Sequence, residues 1–97
     1  MVINIDNYDS LMQEHGKIIL REIMVGVARR LRQLVRPLDT VARLSNEEFV
    51  VITHQPDIGQ ANALTYRRIY EAFNVKALKT SKGFVRLKAA MCMSAAD

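Results

Sequence analysis

Residues 40–53 read TVARLSNEEFVVIT, two β-rich runs separated by the polar segment SNEE. Valine, isoleucine, threonine and phenylalanine favour strands, and a short polar segment between two such runs predicts a β-hairpin. Upstream, the apolar residues between Ile18 and Val35 recur mostly in steps of three and four, the spacing of one stripe on an amphipathic helix. Pro37 ends that helix, because the residue before a proline is driven out of the α region. A helix therefore leads into the hairpin.

The rest of the chain continues to alternate helices with strands. VINI at residues 2–5 predicts a first strand, Asn7 or Asp9 can cap a helix that starts there, and Gly16 interrupts that helix. A second helix is predicted over about 58–73, followed by a hairpin made of VKALKT, the turn SKG and FVRLKAAMCM. The order β-α-β-β-α-β-β favours an α+β fold, an antiparallel sheet with its helices on one side, as in ferredoxin-like proteins.

The composition is typical of one globular domain over residues 1–97, with 49% apolar and 25% charged residues. No apolar run is long enough to span a bilayer, and the start of the chain lacks the pattern of a signal peptide. Cys92 is the single cysteine, so an internal disulfide is excluded. We expect a cytoplasmic protein that does not contact membranes.

The charge is unevenly distributed along the chain. Lysine and arginine number 14 against 10 acidic residues, and residues 1–71 hold nine of each sign, so the excess of +4 lies in residues 72–97. A basic segment can attract phosphate groups, but lysines also keep a sheet face or edge soluble. Because this segment lacks a series of interleaved aromatic residues to stack on bases, we do not expect nucleic-acid binding.

Three segments carry a further signal through their order and spacing: INIDNYDSLMQEHG at 3–16, RPLDTVARL at 36–44 and SNEEFVVI at 45–52. Together they resemble the GGDEF domain, the diguanylate cyclase module that joins two GTP molecules into cyclic di-GMP. The resemblance implies the palm-like fold of nucleotide cyclases. It also implies two ligand sites, which differ in how much of the family pattern this chain retains.

At the catalytic site, the resemblance implies a degenerate metal-binding pattern. The family's first metal-binding aspartate is Asn4 here, and its second aspartate is Asp6. An amide oxygen is a poorer ligand for a hard cation than a carboxylate. The family's two hairpin glycines are Ser45 and Asn46, whose side chains would crowd the phosphates that approach a bare glycine backbone.

Other catalytic positions of the family are partly retained. Glu47 and Glu48 keep the acidic hairpin positions, and they are interpreted with Asp6 as vestiges of the catalytic and metal sites. The two guanine-reading positions are Met12 and Arg21, which cannot replace the amide and carboxylate of the family. We therefore expect no diguanylate cyclase activity, no catalytic residues and no cofactor; magnesium enters only if residual activity persists.

The second ligand site of the family is an Arg-x-x-Asp motif that binds cyclic di-GMP, and here it reads Arg36-Pro37-Leu38-Asp39. An arginine can donate to the O6/N7 edge of guanine, and an aspartate can accept from its N1 and N2 donors. The family adds an arginine from the following helix, which is Arg67 or Arg68. A structural alternative remains open: Asp39 caps a turn while Arg36 stays solvated near a helix C-terminus.

The leading hypothesis is therefore a catalytically inactive GGDEF-like receptor or regulatory module for cyclic di-GMP. The first alternative is an interaction or dimerisation module that binds no nucleotide, and the second is residual cyclase activity. The family's segments before the first strand and after the last one are not found in this sequence. We expect the exposed sheet to form a homo-oligomer, namely a dimer, or to bind a partner signalling domain.

Overall fold

The structure, a computed structural model, describes residues 1–52 and 59–93. The elements are β1 (Val2–Ile5), α1 (Tyr8–Leu34), β2 (Thr40–Arg43), β3 (Glu48–Ile52), α2 (Gly59–Asn74), β4 (Leu78–Thr80), β5 (Gly83–Val85) and β6 (Ala89–Cys92). The predicted strand end at Thr53 and the predicted helix start near Ile58 lie outside the described residues. Among the described helices, none is long and apolar enough to cross a membrane.

Four strands form the main sheet in the order β2-β3-β1-β6, and every neighbouring pair is antiparallel. The predicted hairpin is confirmed as β2 and β3, with Ala42 opposite Val50. Strands β4 and β5 form a separate two-stranded sheet. The α+β prediction of an antiparallel sheet packed against helices is confirmed.

The core lies between one face of this sheet and the two helices. Alternate residues of β1 and β3 point into it: Ile3, Ile5, Phe49 and Val51 are each at most 2% exposed. The apolar stripe of α1 supplies Leu20, Ile23, Met24, Val27 and Leu31, and α2 supplies Ile69 and Phe73. Burying one such side chain contributes about 1.5–3 kcal/mol. This stripe therefore fixes which face of α1 turns toward the sheet and which faces outward.

The first helix begins at Tyr8, where the cap residues predict a start, and it runs on past Gly16. Gly16 has φ 82° and ψ 174°, which breaks the helical geometry between the two parts of α1. Glycine adopts a positive φ at little cost because it has no Cβ. Asn7 occupies the cap position, but its side chain makes no capping hydrogen bond. Its amide instead donates to the carbonyl of Arg86 and accepts from the N–H of Lys88.

The prediction that FVRLKAAMCM forms one strand is wrong. The run divides into β5, which pairs with β4, and β6, which pairs with β1. The side chain of Asn7 binds the backbone at Arg86 and Lys88, between the two strands. The chain thus leaves the hairpin and joins the main sheet, which gives the order β-α-β-β-α-β-β-β.

Helix α2 covers the outer edge of β6. The N–H of Asp6 donates to the carbonyl of Lys88, so alternation along the ladder turns the backbone groups of Ala89 and Met91 away from β1. The carboxamide of Asn74 accepts from the Ala89 N–H at 2.8 Å and donates to the Ala89 carbonyl at 3.1 Å. The hydroxyl of Tyr66 donates to the Met91 carbonyl at 3.3 Å. Side chains of α2 therefore take the bonds that a further strand would make.

Candidate functional site

The turn between α1 and β2 is built around Arg36 and Asp39. The Asp39 N–H donates to the Arg36 carbonyl at 3.0 Å. In return, Oδ2 of Asp39 accepts from the backbone N–H and from Nε of Arg36, both at 3.1 Å. The side chain of Asp39 has no solvent exposure, whereas that of Arg36 is 26% exposed. The prediction that Asp39 caps a turn is thus confirmed, whereas the prediction that Arg36 stays solvated is wrong, because its Nε pairs with Asp39.

The second carboxylate oxygen of Asp39 has a different environment. Oδ1 is buried and has no hydrogen-bond donor among the described residues. A buried acceptor without a partner costs about 1–3 kcal/mol, more when it is charged. Such an atom is a feature that a ligand donor would satisfy.

A surface pocket of about 390 Å³ adjoins this turn. Its lining residues are Arg32, Val35, Arg36, Pro37, Asp39, Thr40 and Val41. Sequence reasoning missed Arg32, which lies in the last turn of α1 and reaches the pocket only because of how the chain leaves the helix at Val35. The pocket size lies in the range of small-molecule sites, about 300–1,000 Å³.

The two candidate arginines of α2 lie elsewhere. Neither Arg67 nor Arg68 is among the residues that line the Arg36–Asp39 pocket. Arg67 is 78% exposed and pairs with Glu71, with 3.5 Å between Nε and Oε1. It lines a separate pocket of about 420 Å³ with Tyr66, Tyr70, Glu71 and Val75. The structure therefore brings together the Arg-x-x-Asp pair but not the third arginine.

Residues at the positions that correspond to the family's catalytic site make local hydrogen bonds, one pair at the end of β1 and another at the β2–β3 turn. The Asn4 amide donates to Oδ1 of Asp6. The hydroxyl of Ser45 donates to Oε1 of Glu48 at 3.1 Å. Arg43 closes the turn by donating from Nε to the Ser45 carbonyl at 3.0 Å and from Nη2 to the Asn46 carbonyl at 2.6 Å.

Part of the ligand set that a magnesium ion would need is changed or already engaged. Mg²⁺ requires near-octahedral oxygen ligands, of which a protein usually supplies one or two carboxylates, with water and substrate phosphates completing the set. Asn4 presents its NH₂ group to Asp6, so one carboxylate oxygen already accepts a hydrogen bond. Within the described residues, no group of three or more His, Cys, Asp or Glu side chains could hold a metal.

The substituted guanine-reading positions do come together. Met12, Arg21 and Asn46 line one pocket of about 380 Å³ between α1 and the β2–β3 turn. Tyr8, Lys17, Leu20, Met24, Val25 and Arg43 complete its lining. The pocket combines apolar side chains with cations and has no carboxylate in its lining, so no charged acceptor for the N1 and N2 donors of guanine lines it.

A family profile described as "Diguanylate cyclase, GGDEF domain" matches residues 1–96. The chain therefore belongs to the GGDEF family of cyclic di-GMP signalling domains, which confirms the resemblance in the three segments. A comparison with curated proteins finds no match.

Solved structures of GGDEF proteins share the fold. The GGDEF domain of TpbB, or YfiN, from Pseudomonas aeruginosa superposes with a TM-score of 0.82 at 24% identity, covering 91% of this chain and 51% of that one. Diguanylate cyclase SiaD from the same organism, in complex with its activator SiaC, gives 0.79 at 18% identity and covers 92% and 34%. The GGDEF domain of DgcB from Caulobacter crescentus, in complex with c-di-GMP, gives 0.73 at 20% identity and covers 91% and 54%. The chain spans about half the length of the first of these structures.

Proposed function

We propose that this GGDEF domain is a receptor for cyclic di-GMP that binds through Arg36 and Asp39 and does not synthesise the dinucleotide. The observation that carries the proposal is Oδ1 of Asp39, a buried acceptor without a donor in the described structure, beside a pocket of about 390 Å³. The solved complex of DgcB with c-di-GMP shows that the same fold can hold this ligand.

The chemistry of the pair suits the edge of a guanine. A guanidinium donates to O6 and N7, and a carboxylate accepts from N1 and N2. The bond from Nε of Arg36 to Oδ2 of Asp39 orients both groups toward each other before a ligand arrives. Binding through the Nη groups of Arg36 and through Oδ1 of Asp39 leaves that bond in place. Arg32, in the same pocket, is available to neutralise phosphate charge.

Three features support the absence of synthesis. The Asn4–Asp6 hydrogen bond takes up a position that a metal would need, and Ser45 binds the carboxylate of Glu48. Phosphoryl transfer depends on positioning and on metal ions that neutralise the developing charge. The base-reading pocket carries Met12 and Arg21. These substitutions replace one carboxylate of the family's metal site and both of its base-reading side chains, and we therefore expect no synthesis.

Isothermal titration calorimetry with cyclic di-GMP tests the receptor proposal. We expect wild-type protein to bind, Arg36→Ala to lose about tenfold or more in affinity, and the exposed helix variant Arg29→Ala to bind as wild type. Asp39→Asn keeps the shape of the side chain, so it separates loss of the carboxylate from loss of the fold. Thermal melts of all variants verify folding. No binding by the folded wild type contradicts the proposal.

Incubation with GTP and Mg²⁺ tests the second half of the proposal. Chromatography of the products should show no cyclic di-GMP, and its formation would overturn the assignment as an inactive domain. Arg67→Ala and Arg68→Ala, titrated separately, test whether an arginine of α2 contributes to binding, although neither lines the pocket. Loss of affinity in only one variant identifies that residue as a third contact, and wild-type affinity of both variants excludes it.

A further inference from the structure

A groove runs between the outward side of α1 and the free edge of β2. On the helix it is lined by Lys17, Arg21, Val25, Ala28 and Arg32, and on the strand by Val41 and Arg43. We call it the α1–β2 groove. Its two parts, of about 380 and 170 Å³, share Met24, Val25 and Arg43, so they form one continuous depression. The helical residues recur every three or four positions, as one face of α1 requires.

The backbone at the floor of this groove is open. β2 is an outer strand of the sheet. The Leu44 N–H donates to the Glu48 carbonyl, so alternation along the ladder turns the N–H and C=O groups of Val41 and Arg43 away from β3. No hydrogen bond to these outward groups is found within the described part of the chain. An extended segment laid in the groove would find a row of unpaired donors and acceptors.

The side chains around this backbone determine which segment fits. Lys17, Arg21, Arg32 and Arg43 are basic, and the lining of the two pockets contains no Asp or Glu. Side chains of a strand alternate between its two faces, so a segment with acidic residues at every second position presents all of them to α1. Such a segment complements the basic lining of the groove.

We propose that the α1–β2 groove binds an extended acidic peptide segment of a partner protein by strand addition to β2. The partner backbone pairs with Val41 and Arg43, and its acidic side chains, at every second position, face the basic residues of α1. A strand of four residues, the length of β2, spans about 13 Å. A second copy of this chain is a poorer occupant, because two such basic grooves repel each other.

A labelled synthetic peptide tests the groove without any nucleotide, so the result is independent of cyclic di-GMP binding. The probe is a capped peptide of four Glu-Val repeats, followed by fluorescence anisotropy. One control is the same length of Lys-Val repeats. The second control is the Glu-Val peptide with alternate backbone nitrogens methylated, which keeps the charge and removes the N–H donors.

Two protein variants separate backbone pairing from charge. Val41→Pro removes an outward N–H that the sheet does not use, so the fold should be retained, as a thermal melt can verify. We expect it to weaken binding of the Glu-Val peptide about tenfold. Arg21→Glu should weaken binding similarly, whereas the matched variant Arg29→Glu, on an exposed part of α1 outside the groove lining, should bind as wild type.

The outcomes divide clearly. Binding of the Glu-Val peptide that falls with Val41→Pro, with Arg21→Glu and with backbone methylation supports strand addition. Binding that is unchanged by backbone methylation of the peptide or by Val41→Pro overturns strand addition. Equal binding of the Lys-Val peptide, or no binding of the Glu-Val peptide at about millimolar concentration, overturns it as well. Dimerisation of the free protein that Val41→Pro abolishes assigns the edge to a second copy and also overturns the proposal.

Discussion

The two outer strands of the main sheet differ in how their outward backbone groups are hydrogen-bonded. At β6, the carboxamide of Asn74 exchanges two hydrogen bonds with Ala89, and the hydroxyl of Tyr66 takes the carbonyl of Met91. At β2, the outward groups of Val41 and Arg43 have no such partner in the described structure. An amide side chain reproduces what a neighbouring strand would offer, since it carries one donor and one acceptor close together.

The difference separates a protected side of the domain from an accessible one. Open edges invite pairing with other chains, and proteins block them where pairing would be harmful. Here α2 blocks the β6 edge, while the β2 edge lies beside basic side chains and close to the Arg36–Asp39 turn. The Arg36–Asp39 pocket and the α1–β2 groove therefore both lie at the β2 edge of the sheet. The predicted homo-oligomer remains a prediction.

The largest expected effect comes from opening the closed edge. Asn74→Ala leaves the N–H and C=O of Ala89 without partners, so we expect the free energy of unfolding to fall by about 1–3 kcal/mol. The exposed β6 edge should also promote self-association, visible by sedimentation at high concentration. Urea titration measures the stability, with Gln33→Ala on the exposed part of α1 as the control. Equal stability of the two variants would show that Asn74 does not close the edge.

Tyr66→Phe tests the second closing contact with a smaller change. The 3.3 Å bond to Met91 is long, and its loss should cost about 0.5–1 kcal/mol in the urea titration. Tyr70→Phe is the matched control, because Tyr70 lies one turn further along α2 and is 47% exposed. If both variants lose the same stability, the Tyr66 hydroxyl has no special role at the edge.

The smallest expected effect concerns the β4–β5 hairpin, which leads the chain to the closed edge. The Ser81 N–H and hydroxyl each donate to the Glu22 carboxylate at 2.7 Å, and these bonds hold the pKa of Glu22 below its usual value of 4.5. A lowered folded-state pKa stabilises the protein above the unfolded value, and this contribution is lost as the pH falls through the folded value.

The melting temperature measured from neutral pH down to acid checks this prediction. Below pH 4.5, the melting temperature of Glu22→Gln should decrease less steeply with falling pH than that of wild type. Ser81→Ala keeps the backbone donor to Glu22, so the slope of its melting temperature against pH should lie between those of wild type and Glu22→Gln. Identical slopes for all three proteins would mean that the Glu22–Ser81 contact contributes nothing to acid stability.

Local patterns in the sequence were sufficient for the first part of the fold. The hairpin at 40–53 and the stripe of α1 follow from residues close together in the chain, whose spacing reflects strand and helix geometry. The division of residues 84–93 between two sheets does not. It depends on pairing with β1 and on the side chain of Asn7, about eighty residues away, and no local pattern encodes those contacts.

The candidate site shows the same limit. Arg36 and Asp39 were predicted from their family spacing, and the structure pairs them. The orphaned oxygen of Asp39 and the presence of Arg32 could not be predicted, since both depend on how α1 ends against β2. The basic α1–β2 groove could not be predicted from the charge balance of residues 1–71 either. Equal numbers of basic and acidic residues in a segment do not indicate which side chains the fold brings to one surface.

Backbone amide NMR of the isotope-labelled wild type, titrated with cyclic di-GMP, tests the receptor proposal most directly. We expect saturable shifts at the amides of Arg36, Asp39 and Thr40, no shifts at the closed edge around Asn74, and loss of the response in Arg36→Ala. The proposal is contradicted if no amide shifts, or if the shifts are confined to the β2–β3 turn around Ser45.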